Sequence, residues 1–162
     1  MTDAGCTRVF HASTVEDMQD LARRLAPLLP PGTVMGLRGD LGAGKTTFVQ
    51  GLADGLGLDP AIRVNSPSFT LINLYPTRIP LAHMDVYRIE DPEELEGIGF
   101  DDFLRPPYLA AIEWFDKLES WGVPVPPDRL LLVDILADDP GDDTRTLRLT
   151  AAPGMVRDIL AL

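Results

Sequence analysis

Gly39-Asp40-Leu41-Gly42-Ala43-Gly44-Lys45-Thr46 constrains this chain more than any other stretch. It reads G-x-x-x-x-G-K-T, the pattern of a phosphate-binding loop. Gly39, Gly42 and Gly44 let the backbone curl tightly and approach an anion with no Cβ in the way. The curled amides then point inward as a nest of donors, at the positive end of the helix that follows. In that arrangement Lys45 reaches β- and γ-phosphate oxygens, and the Thr46 hydroxyl sits on a Mg²⁺ ion. The plain alternative is a chance glycine-rich turn, and context argues against it. Thr33 to Leu37 reads as a short buried strand, and Thr46 to Leu56 carries Phe48, Val49, Leu52, Ala53 and Leu56 at helical spacing. Strand, loop and helix in that order are what the pattern requires.

The 162 residues fit one domain, residues 1–162, large enough to bury a sizeable core. No apolar run approaches a membrane span, the acidic Met1-Thr2-Asp3-Ala4-Gly5-Cys6 is unlike a secretory leader, and Cys6 is the only cysteine. A cytoplasmic protein with no membrane role is expected. The net charge of −11 is more informative. Holding nucleic acid requires cations that displace counterions from phosphates, and here fourteen Lys and Arg face twenty-five acids without a basic run. A protein serving nucleic-acid chemistry with this balance needs another chain to hold the polymer. Of the two lysines, one is Lys45 in the loop.

Arg8 to Ala12 reads as an edge strand with His11 on its surface. Ser13-Thr14-Val15-Glu16 then reads as a capping box, with Ser13 as N-cap and Glu16 reaching back. The helix that follows carries Met18, Leu21, Ala22, Leu25 and Leu28 on one face and stops before Pro30. Gly55 and Gly57 read as the stop of the loop helix. Phe69–Tyr75 and Ile79–Tyr87 read as an antiparallel hairpin, preceded by a polar loop (Ser66, Ser68, Thr70) of the kind that senses a γ-phosphate. Asp91 to Leu95 reads as a short capped helix with Pro92 at its first position. The seven acids between Ile89 and Asp102 read as a solvated face rather than a metal site. Met155 to Leu160 reads as a closing helix.

Metal-assisted phosphoryl transfer needs an acid at the end of a buried strand beside the loop. Three strands offer one. Leu109–Ile112 runs into Glu113, Leu130–Val133 into Asp134, and Ile79–Met84, less continuously, into Asp85. Asp134 looks best as a bare pattern. It lies, however, in Arg129–Ala137, which a turn-rich acidic stretch joins to the alternating Thr144–Thr150, so it reads as part of a structural hairpin. Glu113 ends the more plausible central strand. Asp85 begins a polar cluster with Tyr87 and Arg88, where Arg88 suggests an ion pair with Asp85.

Five segments now stand in order: Gly39–Thr47, Ser66-Pro67-Ser68-Phe69-Thr70-Leu71, His83-Met84-Asp85-Val86-Tyr87-Arg88, Asp91-Pro92-Glu93-Glu94-Leu95 and Ile112-Glu113-Trp114. Together they closely resemble the bacterial TsaE family, the P-loop ATPases of tRNA threonylcarbamoyladenosine synthesis. Departures are small: Ser68 stands where relatives often have Thr, and the turn at Gly141 is longer and more acidic. The resemblance implies a single α/β P-loop NTPase domain. Its mixed sheet would be parallel in the centre with antiparallel hairpins, and helices would cover both faces. It implies ATP as cofactor, bound by Asp40, Leu41, Gly42, Ala43, Gly44, Lys45, Thr46 and Thr47, with Thr14 and Trp114 nearby. Mg²⁺ would be held by Thr46 and Glu113, and Lys45 and Asp85 would be catalytic, Asp85 positioning the metal shell or attacking water. The implied partners are TsaD and TsaB, which modify adenosine-37 of tRNAs reading ANN codons, with tRNA met only through them.

Three rivals share the loop. A small P-loop kinase usually needs several arginines in a lid, and here they are scattered, the only adjacent pair being Arg23-Arg24. A GTPase usually carries Asn-Lys-x-Asp, and neither lysine lies in such a segment. A non-catalytic nucleotide-gated module is the third. No clear arginine finger or glutamine stands near the loop, Arg88 being the nearest candidate, so slow ATPase activity raised by partners is expected.

Overall fold

The structure is a computed structural model and describes residues 5–155, 159 and 161–162. Seven strands form one sheet in the order β1-β7-β6-β2-β5-β4-β3. β2 (Val34–Arg38) pairs in parallel with β5 (Leu109–Glu113) and with β6 (Leu130–Ala137), and β5 pairs in parallel with β4 (Leu81–Asp85). The flanks are antiparallel: β3 (Ile72–Tyr75) lies against β4, and β7 (Arg145–Ala151) bridges β6 and the edge strand β1 (Cys6–Ala12). The expected α/β architecture, with a parallel centre and antiparallel hairpins, is what forms.

Side-chain alternation along the buried strands builds two cores. Met35, Leu37, Leu109 and Ala111 pack beneath α1 (Val15–Leu25) and α2 (Lys45–Gly55). Val34, Ala110 and Ile112 face the other way, onto the side of α3 (Glu94–Gly97), α4 (Phe100–Phe103) and α5 (Phe115–Ser120). Helices therefore cover both faces. The apolar stripe read from α2 is buried throughout, from Phe48 to Leu56.

α2 ends at Gly55, where the stop is expected, and a Cβ there would also sit 2.7 Å from Arg23 O; one on Gly51 would sit 2.5 Å from Gln19 O. The two glycines let α1 and α2 touch backbone to backbone. The turn out of the helix follows, where Gly57 takes φ +85°.

Other boundaries move for local reasons. The capping box shifts by one residue. Thr14, not Ser13, is the N-cap, and its Oγ1 accepts from Asp17 N at 3.1 Å while Asp17 Oδ2 accepts from Thr14 N at 3.1 Å. The same carboxylate oxygen also accepts from Ser13 N at 3.0 Å, so the shorter Asp17 serves two amides that Glu16 leaves alone. The first hairpin is shorter than expected. Leu71 has φ +67°, which breaks extended backbone before Ile72, and β4 starts after Pro80 and stops at Asp85. The helix expected from Asp91 begins at Glu94, with Pro92 in the preceding turn, and all seven nearby acids are exposed. Among the described residues no group of three potential ligands forms a metal cluster. The helix expected over Met155–Leu160 falls on residues 156–158 and 160, outside the described set; Pro153–Met155 forms a 3-10 turn.

The register matters most at the carboxyl ends of the central strands. Asp85 on β4 lies opposite Glu113 on β5, and Glu113 lies opposite Leu37 on β2, whose chain continues into the glycine loop. Open parallel sheets place their ligand clefts at such ends.

Candidate active site

The loop leaves β2 at Gly39 and enters α2 at Lys45. Gly44 makes this possible: it adopts φ +113°, and a Cβ there would lie 2.5 Å from Met18 Cε on α1. Only a residue without a side chain meets both demands. Lys45 is 5% exposed. Its Nζ donates to Gly39 O at 2.7 Å and Asp40 O at 3.0 Å, and stands 4.0 Å from the centroid of the Trp114 ring. Burial pushes the ammonium below its ordinary pKa, while the negative charges of Glu113, Asp85, Asp116 and Asp40 oppose the shift.

Thr46 sits one residue further along α2. Its hydroxyl donates to Glu113 Oε1 at 2.6 Å, leaving the threonine oxygen's lone pairs open towards the cleft. The same carboxylate oxygen receives His83 Nε2 at 2.9 Å. His83 is fully buried in β4 and its Nδ1 has no partner, so Nε2 facing a carboxylate is the nitrogen that carries the proton. Asp85 is held from two sides: Oδ2 accepts from Ser66 Oγ at 2.9 Å and Oδ1 from Tyr87 N at 2.9 Å.

Trp114 turns the chain from β5 into α5 with φ +60°, a left-handed conformation that a bulky residue rarely adopts. The turn lays its ring over Lys45 and 4.8 Å from the Tyr87 ring. Leu41, Gly42, Gly44, Lys45, Thr46, Thr47, Ser68, Asp85, Tyr87, Arg88, Glu113 and Trp114 enclose a cleft of about 430 Å³.

Most of the expected site residues thus meet in one cleft. Three stand elsewhere. Asp40 and Ala43 lie on the far side of the loop, against the turn between β6 and β7. Thr14 caps α1 and is exposed, outside the residues that line the cleft. Of the polar loop, Ser66 and Ser68 reach Asp85 or the cleft, whereas Thr70 bonds Asn73 Oδ1 at 2.9 Å. Arg88 does not pair with Asp85. It lines the cleft with its guanidinium 4.3 Å from the Phe69 ring centroid. Asp134 is taken by Arg38 through two bonds of 2.6 and 2.9 Å. The sequence reading missed His83, although it shares a strand face with Asp85 at a spacing of two.

Comparison with known proteins shows the family. The model of the family described as "Threonylcarbamoyl adenosine biosynthesis protein TsaE" matches residues 12–147, from the end of β1 into β7. The chain belongs to the TsaE family. A Bacillus subtilis protein named tRNA threonylcarbamoyladenosine biosynthesis protein TsaE is 42% identical over 137 residues, covering 84% of this chain and 80% of that protein. A Nostoc protein of the same name is 37% identical over 166 residues, covering 99% and 96%. The crystal structure of Bacillus subtilis YdiB superposes with a TM-score of 0.76 at 32% identity, over 97% of this chain and 93% of that one. The region matched by the family model contains the glycine loop, His83, Asp85, Glu113 and Trp114.

Proposed function

We propose that this TsaE-family chain is a Mg²⁺-dependent ATPase that serves tRNA threonylcarbamoyladenosine biosynthesis as an accessory subunit. Its partners in this reading are TsaD and TsaB, acting at adenosine-37 of tRNAs reading ANN codons in the cytoplasm. The observation that carries the reading is the bond between Thr46 and Glu113 beside a loop whose lysine is already in place. The residues suit the ligands. The cradle lacks Cβ atoms where phosphate would approach, and the Thr46–Glu113 pair presents hard oxygen donors of the kind Mg²⁺ prefers.

In this reading the amides of Gly42 to Thr47 and the Lys45 ammonium bind the phosphates. Thr46 and Glu113 hold the metal, with His83 fixing the carboxylate from behind. Bound Mg²⁺ supplies charge neutralisation on the phosphate oxygens. Asp85, whose two oxygens are oriented by Ser66 and Tyr87, accepts a hydrogen bond from attacking water in the cleft. Trp114 and Tyr87 screen the site from solvent on one side. The chain's acidity suits a subunit that meets tRNA only through its partners.

Calorimetry with ATP tests the site. Lys45→Ala should weaken binding about a hundredfold, since a buried charge-assisted contact is lost. Unchanged affinity defeats the reading. The accessory role is tested separately. The isolated chain should not retain bulk tRNA on a filter at physiological salt, and the TsaD–TsaB pair should raise its slow ATPase rate. Tight tRNA binding, or fast hydrolysis indifferent to the pair, defeats the subunit role.

A further inference from the structure

Arg145 opens β7, across the sheet from the strands that form the cleft, yet its side chain ends on the glycine loop. Nε donates to Ala43 O at 2.8 Å and Nη2 to Gly42 O at 3.4 Å. Nη1 donates to Thr144 O at 2.9 Å and to Asp142 O. Among the described residues its hydrogen-bond partners are all main-chain carbonyls, although the adjoining turn carries Asp138, Asp139, Asp142 and Asp143. A guanidinium that spends its rigid fork on four carbonyls is fixing backbone, although, after the bonds from Thr144, its charge also helps lower the pKa of the Asp142 carboxyl.

From these contacts we infer that Arg145 is a positioning residue of the phosphate loop. A trans peptide points its N–H opposite to its C=O. Drawing the Gly42 and Ala43 carbonyls towards the hairpin therefore turns the Ala43 and Gly44 amides away from it. The Ala43 amide closes the loop on Asp40 O at 3.0 Å, and Gly44 lines the cleft. The same positive charge polarises both peptides, which strengthens the Ala43 amide's bond to Asp40 O and the Gly44 amide as a donor to an anion. One arginine thus does from behind what the glycines permit from within: it selects the curled conformer before ligand arrives, and lowers the ordering cost at binding. It touches neither nucleotide nor metal.

The inference rests on the proposed nucleotide site, and one experiment separates the two. ATP is titrated by calorimetry into the wild type, Arg145→Ala, Arg145→Lys and Arg148→Ala. Arg148 is an exposed arginine of the same strand, so its loss removes equal charge without touching the loop. Arg145→Ala should bind about tenfold more weakly, and Arg148→Ala within about twofold of wild type. Arg145→Lys should recover part of the loss at most, since an ammonium cannot present a planar fork. Hydrogen exchange of the ligand-free proteins supplies a readout without ATP. Peptides over residues 39–45 should exchange faster in Arg145→Ala, and those over α2 and β6 should not. The inference fails if Arg145→Ala binds ATP as wild type does, or if Arg148→Ala loses as much. It fails equally if Arg145→Lys matches wild type, or if exchange rises throughout the domain. A wild type that binds no ATP overturns the nucleotide reading and this inference together.

Discussion

β2 carries a carboxylate on either side of its end, and the two have opposite fates. Glu113 on β5 stands opposite Leu37, and Asp134 on β6 stands opposite Arg38. Both follow a run of apolar residues, and each stands one register step from the other. Asp134 meets a guanidinium that grips both its oxygens, and Glu119 on α5 adds a second acid to the same arginine at 3.1 Å. Its charge is spent within the fold. Glu113 is 3% exposed and has Thr46 and His83, and among the described residues no arginine or lysine, in hydrogen-bond contact, so its carboxylate stays available at the cleft. A buried carboxylate without a bonded cation is costly, and such groups concentrate where a ligand supplies the missing charge.

The largest expected effect tests that contrast directly. Glu113→Gln keeps the shape but removes the charge, and should abolish Mg²⁺-dependent tightening of ATP binding and lower hydrolysis by about a hundredfold or more. Asp134→Asn should leave both within about twofold. Titration of Mg²⁺ against a fluorescent ATP analogue reads the difference, and the opposite ranking would exchange the roles of the two acids.

A smaller effect should run the other way in stability. Arg38→Met leaves Asp134 partly buried without its partner and should cost about 1–3 kcal/mol in urea denaturation. Glu113→Gln should cost nothing measurable or stabilise the ligand-free protein, because it removes a charge that the fold leaves without a bonded cation. Equal losses would mean that both carboxylates are structural.

The smallest effect concerns pH and Lys45, whose ammonium faces Glu113's side of the comparison. Its pKa is lowered by burial from the ordinary 10.5. In the window between the lowered value and 10.5 the unfolded chain holds the proton and the folded chain has released it, so stability gains as pH rises there. Below that window both states are protonated and the contribution is flat. The stability of wild type relative to Lys45→Met, measured by denaturation across alkaline pH, should therefore shift in favour of wild type as pH rises. A shift in favour of Lys45→Met would show that the neighbouring acids, rather than burial, dominate.

Local chemistry was legible wherever a residue's job is set by its sequence neighbours. Lys45 and Thr46 follow from the loop, the stripe from Phe48 to Leu56 follows from helical period, and the β6–β7 hairpin follows from the acidic turn before alternating residues. Where two neighbouring options were equally good, the reading slipped. Ser13 with Glu16 and Thr14 with Asp17 both spell a capping box, and only the geometry of Asp17, serving two amides, chose between them. Gly55 is legible as a stop because glycine ends helices, and α2 does end there, but its second job of letting α1 approach is not legible.

The sequence by itself determined that a glycine-rich loop sits between a buried strand and a helix, and that acids end the strands beside it. Glycine conformational freedom and hydrophobic period act over a few residues, so they are written locally. Tertiary structure set the surroundings of the two candidate acids. Strand order put β5 and β6 on opposite sides of β2, and register set Glu113 against Leu37 and Asp134 against Arg38. It also brought His83 to Glu113 and, from 102 residues away, Arg145 to Ala43. Such contacts arise from strand pairing and from where a long side chain can find carbonyl oxygens, and spacing along the chain records neither.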